Sequence, residues 1–154
     1  MRIGFGYDVH RLEEDHELIL GGVHVPFEKG TLAHSDGDVL IHAICDALLG
    51  AAGLGDIGYH FPDTDPANKN MDSTRILQHS LKLIHDAGYS VVNVDTTICL
   101  QQPKLAGYIE QMKQSLGRWL PPGRLSIKAT TTEKMGFVGE GRGISAYAAV
   151  LLEG

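Results

Sequence analysis

The chain has 154 residues, of which 43% are hydrophobic, and its formal net charge at pH 7 is −6. This length and apolar content suffice for one packed domain, and no apolar run approaches the roughly 18 residues that cross a bilayer. Because affinity for nucleic-acid backbones comes from clustered Lys and Arg, the acidic balance argues against a general nucleic-acid-binding function.

The two cysteines bear on the cellular compartment. Cys45 and Cys99 are far apart in the sequence and form no CxxC pair, so neither a redox motif nor a thiolate zinc site is indicated. We expect both to be reduced and buried. Since the N-terminal residues do not resemble a transit peptide, we expect a bacterial cytoplasmic protein.

The first predicted element is a β-strand over residues 2–10. Its residues alternate between an apolar set and a sparse, partly polar set: Ile3, Phe5, Tyr7 and Val9 against Gly4, Gly6, Asp8 and His10. This period of two is typical of a strand with one packed face, which we expect the apolar set to form. Asp8 and His10 then project side by side from the other face, where the two glycines leave room.

A turn-rich segment separates this strand from the first predicted helix. Residues 18–25 predict a hairpin or bent strand that turns at Gly21-Gly22 and ends at Pro26. A loop then leads to His34, and apolar residues recur with helical period over 36–52. We therefore expect a helix to begin shortly after His34.

Polar residues lie along one side of this predicted helix. Asp36 or Asp38 can cap its N-terminus. Asp38, His42 and Asp46 follow one another at intervals of four residues and so share one line on the helix surface. Asp46 is placed to accept the second ring N–H of His42 and so fix its tautomer, although a solvated helix face explains Asp46 equally well.

The second half of the chain predicts two more helices and three strands. The segment 53–66 is rich in Gly, Pro and Asp, which is typical of a mobile loop that carries binding residues. There follow a helix from Asp72 or Ser73 to Gly88, a strand over 91–100, a helix starting at Pro103, and strands near 124–129 and 144–152. We expect a single domain over residues 1–154 of the α/β (α+β) class, in which a mixed sheet carries helices on one face. Copies of the chain would cover the other face in a homo-oligomer.

Asp8, His10 and His42 together have the form of a three-ligand metal site with an open position. A carboxylate and two imidazoles suit zinc or a similar divalent ion, and an exchangeable fourth position is typical of catalytic zinc. The alternative is that Asp8 caps a turn while the two histidines are unrelated. The more specific HExxH helix of a metalloprotease is absent.

Two further segments carry groups that suit phosphate binding. His34 and Ser35 precede the first helix, where backbone N–H groups favour anions, although Ser35 or Asp36 can equally be a simple helix cap. The hydroxyls and the Glu133 carboxylate within 129–137 suit a phosphate and a hard cation, whereas a threonine run is also ordinary strand sequence. Neither GxGxxG nor GxxxxGK[ST] occurs. These signals indicate a metal-assisted enzyme acting on a phosphorylated small molecule.

Six short motifs occur in a characteristic order along the chain. They are Asp-Val-His at 8–10, His-Ser-Asp-Gly-Asp-Val at 34–39, Gly-Asp-Ile-Gly at 55–58, Phe-Pro-Asp-Thr-Asp at 61–65, Gln-Pro-Lys at 102–104 and Ala-Thr-Thr-Thr-Glu-Lys-Met-Gly-Phe at 129–137. In this order and spacing they closely resemble the 2-C-methyl-D-erythritol 2,4-cyclodiphosphate synthase family. The resemblance covers essentially the whole chain.

The resemblance implies a homotrimer, with its sheets facing a central axis, in the non-mevalonate route to isoprenoid precursors. Such an enzyme converts 4-diphosphocytidyl-2-C-methyl-D-erythritol 2-phosphate into the cyclic 2,4-diphosphate and releases CMP. By the same resemblance Asp8, His10 and His42 hold Zn²⁺, and Glu133 helps to bind Mg²⁺ or Mn²⁺ at the diphosphate. Catalytic roles in steadying the transition state fall to His34 and Thr131.

The resemblance also implies a substrate-binding set that draws on several segments. Around the erythritol and its phosphates it comprises Asp8, Val9, His10, His34, Ser35, Asp56, Ile57, Gly58, Phe61, Pro62, Asp63, Thr64 and Asp65. The cytidine pocket, which the adjacent subunit contributes, comprises Leu100, Gln101, Gln102, Pro103, Lys104, Leu105, Ala106, Ala129, Thr130, Thr131 and Thr132, with Glu133, Phe137 and Glu140 following. In the family, the segment that starts at the position of Phe137 usually reads Phe-x-Gly-Arg-x-Glu-Gly. This chain has Glu140 in place of that Arg and Arg142 in place of that Glu.

Two other functions would use the same three ligands. A zinc phosphohydrolase would use a metal-activated water and give a linear phosphate product. A non-catalytic trimer stabilised by zinc would have no turnover, although structural zinc sites usually have four protein ligands, often cysteines.

Overall fold

The computed structural model describes residues 1–154 and contains seven strands and five α-helices. The strands are β1 (Arg2–Glu14), β2 (Ile19–Leu20), β3 (Val23–His24), β4 (Lys29–Leu32), β5 (Ser90–Cys99), β6 (Leu125–Thr130) and β7 (Gly143–Glu153). The helices are α1 (Val39–Ala52), α2 (Ile57–His60), α3 (Ser73–Asp86), α4 (Ile109–Leu116) and α5 (Gly136–Gly139). Short 3₁₀ turns occupy Pro66–Asn68 and Ala106–Tyr108.

One mixed sheet organises the domain. Its strand order is β4-β1-β7-β5-β6, in which only the β5–β6 pair is parallel. Helix α1 packs on β1 and β7, and α3 packs on α1. One continuous core of buried apolar side chains joins these elements, so the prediction of an α+β domain with helices on one face of a mixed sheet is confirmed.

Two glycines allow α1 to lie directly on β1. A Cβ atom at Gly4 would overlap the carbonyl oxygen of Ala47, and one at Gly6 would overlap that of Ala43. The space beside Asp8 that we expected the glycines to leave is therefore filled by the backbone of α1. This close approach brings His42, in the first half of that helix, to the strand that carries Asp8.

The apolar face of β1 is not the packed face that we predicted. Ile3 and Phe5 are 80% and 67% exposed, because this face points away from the helices. Tyr7 continues the surface, and its ring lies 5.0 Å from that of Tyr147 on β7. The second face of the sheet is thus an uncovered apolar surface in a single chain, and surfaces of this kind commonly mark contacts between proteins.

Three element boundaries differ from the sequence predictions. The loop expected before His34 contains β4, which pairs with the end of β1 and extends that strand to Glu14. The helix expected from Pro103 begins only at Ile109, after a 3₁₀ turn, because residues 100–105 leave β5 as an irregular segment.

None of the helices combines the length and the apolarity that a membrane-spanning helix needs.

Candidate active site

Asp8, His10 and His42 converge at one end of the β1–α1 contact. Asp8 Oδ2 lies 2.9 Å from His10 Nε2 and 2.9 Å from His42 Nδ1, and the two ring nitrogens are 3.3 Å apart. The strand presents the first two side chains on one face, and the helix presents the third. One carboxylate oxygen and two imidazole nitrogens therefore lie within 4.8 Å of one another.

This donor set fits a divalent metal ion. Imidazole nitrogen and carboxylate oxygen are ligands that zinc accepts, and three protein ligands leave one position for an exchangeable group. Asp8 lies within a strand rather than at a turn, and the two histidines are neighbours in space, so the alternative reading of these three residues is wrong. Only these three residues cluster in this way.

The triad residues shift one another's pKa values. Burial alone would raise the pKa of Asp8, but hydrogen bonds with His10 and His42 prevail and lower it to about 2. Burial would likewise lower the pKa of His42, yet the hydrogen bond and the charge of Asp8 raise it above its ordinary value. Since a metal needs the neutral imidazole, an ion that binds here displaces a proton from the triad.

The second ring nitrogen of His42 does not contact Asp46. His42 Nε2 lies 2.9 Å from the Ser73 hydroxyl and 3.2 Å from that of Ser35. Asp46 is half-buried, and its Oδ1 instead accepts the backbone N–H of Ile57 at 2.9 Å. Both sequence interpretations of Asp46, as the partner of His42 and as part of a solvated face, are therefore wrong.

Asp38 caps the N-terminus of α1. Its Oδ1 accepts the backbone N–H of Ile41 at 3.1 Å, and its two oxygens also accept the N–H groups of Gly21-Gly22. The carboxylate is fully buried, and this burial raises its pKa to about 6. Ser35 and Asp36 do not cap the helix, and the Ser35 hydroxyl instead faces His42.

A pocket opens over the triad. Besides Asp8, His10 and His42, its lining includes six residues of the predicted substrate-binding set: His34, Ser35, Ile57, Gly58, Phe61 and Asp63. It also includes four residues that we did not predict: Ala33, Asn68, Met71 and Ile76. The remaining predicted residues of this loop, Asp56, Pro62, Thr64 and Asp65, lie along the same segment outside the lining.

A second pocket lies where β5 and β6 end. Because these strands are parallel, the segments that follow them leave the same edge of the sheet. Nine residues of the predicted cytidine pocket line it together with Ile109: Leu100, Gln101, Pro103, Lys104, Leu105, Ala106, Ala129, Thr130 and Thr131. It shares no lining residue with the pocket over the triad. Within one chain, the predicted nucleotide residues and the predicted metal ligands are therefore separate.

Most of the remaining predicted residues lie beyond β6, whereas Val9 is on β1 and Gln102 follows β5. Glu133 is exposed in a tight turn, where its N–H donates to the Thr131 hydroxyl, and it lines neither pocket. Phe137 lines a third pocket with Val9 and with His10, which also lines the pocket over the triad. Glu140 accepts a hydrogen bond from the Arg142 guanidinium at 2.7 Å. Gln102 and Thr132 lie in the predicted segments but outside the pocket lining.

Two polar residues next to the triad have contacts that the sequence does not predict. The sequence allows either Asp72 or Ser73 to begin α3; in the structure Asp72 caps that helix and Ser73 faces His42. The sequence predicts Asp36 as a possible cap of α1, whereas in the structure Asp36 binds Ser73. No spacing rule links these residues to His42, because they lie on separate segments.

Comparisons with known proteins agree along the whole chain. The model of the YgbB family matches residues 1–153. The 2-C-methyl-D-erythritol 2,4-cyclodiphosphate synthase of Geotalea uraniireducens is 57% identical over 155 residues, which cover 99% of each chain. A solved structure of a synthase of the same name, in a CDP-bound form, is 40% identical with a TM-score of 0.91 and covers 99% of this chain and 100% of that one.

A longer protein contains the same fold. The bifunctional IspDF of Campylobacter jejuni is 41% identical, with a TM-score of 0.94, and the match covers 98% of this chain and 42% of that one. With a family model over nearly all residues and relatives above half identity at full length, the chain belongs to the YgbB family of 2-C-methyl-D-erythritol 2,4-cyclodiphosphate synthases.

Proposed function

We propose that this chain is a metal-dependent enzyme that converts 4-diphosphocytidyl-2-C-methyl-D-erythritol 2-phosphate into 2-C-methyl-D-erythritol 2,4-cyclodiphosphate and releases CMP. The observation that carries the proposal is the convergence of Asp8, His10 and His42 in a pocket of a chain with full-length synthase relatives. In the proposed reaction an oxygen of the 2-phosphate forms a bond to the β-phosphorus. The bond from that phosphorus to the CMP oxygen breaks, and CMP leaves, so no water is consumed.

The assigned metal is Zn²⁺, held by Asp8, His10 and His42. When bound, it polarises a phosphate oxygen as a Lewis acid and offsets the repulsion between the two phosphate groups. His34 and Ser35 line the same pocket, where an imidazole and a hydroxyl can donate hydrogen bonds to phosphate oxygens. These side chains hold the reacting groups in place, which matters greatly because the reaction is intramolecular.

The second pocket is assigned to the cytidine. It lies in a different part of the chain from the triad, and a solved relative has CDP bound. Thr131 is assigned to the transition state, and Glu133 to Mg²⁺ or Mn²⁺ at the diphosphate. For these roles, Thr131 and Glu133 must lie close to a metal triad. Within one chain they do not, because the second pocket is separate from the pocket over the triad.

A homotrimer would satisfy this requirement. The uncovered face of the sheet, with Ile3, Phe5 and Tyr147, would turn towards a central axis and be buried by the other two subunits. The second pocket of one subunit would then complete the metal pocket of its neighbour. This arrangement accounts for both the exposed apolar face and the separate halves of the site.

A metal-reconstitution assay tests the proposal. Protein stripped with a chelator is expected to release no CMP from the substrate, and added Zn²⁺ together with Mg²⁺ is expected to restore release. The Asp8→Asn variant serves as the control, because it lacks the shared carboxylate ligand and should not respond to the metals. Full CMP release by the stripped protein would refute the role of the metal.

A further inference from the structure

A chain of hydrogen bonds extends from the second ring nitrogen of His42 through Ser73 to Asp36. His42 Nε2 lies 2.9 Å from Ser73 Oγ, and this hydroxyl also bonds to Asp36 Oδ1. The other oxygen of Asp36 accepts the backbone N–H of Ser73 at 2.9 Å. Ser73 is fully buried and Asp36 is half-buried, so the Ser73 hydroxyl itself is shielded from solvent.

The direction of the protons in this chain follows from the chemistry of its end. Both oxygens of Asp36 accept backbone N–H groups, and Oδ1 also accepts from Ser73, so Ser73 donates its single hydroxyl proton to Asp36. Towards His42 the hydroxyl is then left with lone pairs and must accept. His42 Nε2 therefore carries a hydrogen. When a metal displaces the proton between Nδ1 and Asp8, the neutral ring keeps the hydrogen on Nε2 and offers its lone pair on Nδ1.

We propose that Ser73 and Asp36 are positioning residues that fix His42 in the tautomer that binds the metal through Nδ1. Histidine ligands bind through one nitrogen, and a partner on the other nitrogen sets the tautomer and the ring orientation. The inference rests on the metal centre of the proposed function. It does not depend on the identity of the substrate.

Ser35 cannot fix the tautomer of His42 in place of Ser73 and Asp36. Its hydroxyl is farther from His42 Nε2, at 3.2 Å, and it accepts the backbone N–H of Gly37 at 3.3 Å. No carboxylate accepts the Ser35 hydroxyl proton, so that hydroxyl can either donate to or accept from the ring. Only the bond through Ser73 fixes the direction of the proton.

The same pair joins two segments that frame the site. Ser73 is the first residue of α3, and Asp36 lies in the turn before α1, where it accepts the backbone N–H of Asp38 at 3.1 Å. The backbone N–H of Asp36 in turn donates to Met71 at 3.2 Å. The ring of His42 is thus held by a bond network that includes the N-terminal ends of two helices.

Three variants test the role of the Ser73 hydroxyl. Ser73→Ala is expected to weaken zinc binding by about 10- to 100-fold, measured by competition with a chelator. Ser73→Thr keeps a hydroxyl and should recover most of the affinity. Ser80→Ala is the matched control, because Ser80 is also buried on α3 and its hydroxyl has no nitrogen or oxygen partner. A Ser73→Ala affinity within twofold of the control would overturn the proposal.

A measurement on the unaltered protein covers the case in which a variant does not fold. Long-range ¹H–¹⁵N NMR of the zinc-loaded protein identifies the protonated nitrogen of each histidine. The expected pattern for His42 is hydrogen on Nε2 and metal on Nδ1, and the reverse pattern overturns the proposal. Wild-type protein that binds no zinc would overturn it together with the metal centre, whereas zinc binding without CMP release would overturn only the proposed reaction.

Discussion

The Asp46 carboxylate accepts the backbone N–H of Ile57 at 2.9 Å, and so ties the loop over the metal pocket to the helix that carries His42. Asp46 lies one helical turn after His42, and Ile57 lines the pocket. Burial raises the pKa of Asp46, while the bond from Ile57 opposes this effect. We expect this contact to limit how far Ile57 can move from the helix that carries His42.

Replacing Asp46 should impair catalysis without loss of the metal. Asp46→Ala leaves the N–H of Ile57 without its acceptor and frees the loop, so kcat/KM should fall by about 5- to 30-fold, the effect of roughly 1–2 kcal/mol. Asp46→Asn keeps an oxygen acceptor and should stay close to wild type. Steady-state CMP release and zinc content together provide the check. Equal losses in both variants would show that the charge matters rather than the hydrogen bond.

Removing one imidazole ligand should abolish both metal binding and turnover. His42→Ala leaves two ligands, too few to hold zinc tightly, while the core around α1 remains apolar and packed. Zinc content by elemental analysis, CMP release and circular dichroism are the measurements. His85→Ala, at an exposed histidine near the end of α3, is the control and should keep all three at wild-type levels. Turnover by zinc-free His42→Ala would contradict the assigned ligand role.

The buried cap of α1 should leave a signature in the pH dependence of stability. The pKa of Asp38 is about 6 in the folded chain against an ordinary 3.8, so the folded state holds the proton more tightly. The free energy of unfolding should therefore fall as pH rises from about 4 through about 6. Between pH 5 and pH 7 this contribution amounts to about 1 kcal/mol.

Urea unfolding of wild type and Asp38→Asn at pH 5 and pH 7 isolates this effect. The variant has no titrating group at this position, so the difference in unfolding free energy between the two proteins should change by about 1 kcal/mol across the interval. Wild type should lose stability relative to the variant as pH rises. A constant difference would mean that Asp38 does not titrate in this range.

An active site shared between subunits should permit complementation. His42→Ala and Glu133→Gln are each expected to be inactive, for lack of a metal ligand on one side of the site and of a carboxylate on the other. In trimers reassembled from an equal mixture, about a quarter of the interfaces should combine two intact halves by random assortment. Recovery of CMP release towards that fraction is the expected result. If each subunit carried a complete site, the mixture would remain inactive.

Local patterns predicted the elements that carry Asp8, His10 and His42, but they left open whether the three residues form one site. Asp8 and His10 follow the period of two in a strand, and His42 follows a helical stripe that begins just after the His34 motif. The approach of the helix to the strand depends on Gly4 and Gly6, whose role is visible only when the two elements are seen in contact. The residues were therefore predictable, whereas the packing that joins them was not.

Other features depended on contacts that no local pattern encodes. Ser73 lies 31 residues after His42, on a different helix, so its bond to the imidazole could not be read from spacing. The apolar side of β1, including Phe5, follows the alternation expected of a buried face. It is nevertheless uncovered in the single chain, because periodicity distinguishes two faces of a strand without showing which one the helices cover.

The most direct test of the account is ³¹P NMR of the zinc- and magnesium-loaded protein with 4-diphosphocytidyl-2-C-methyl-D-erythritol 2-phosphate in ¹⁸O-labelled water. We expect CMP together with two coupled resonances of a cyclic diphosphate, with no ¹⁸O shift in either product, because the attacking oxygen comes from the substrate. A linear phosphate product that carries ¹⁸O would contradict the account and identify a hydrolase that uses the same metal centre.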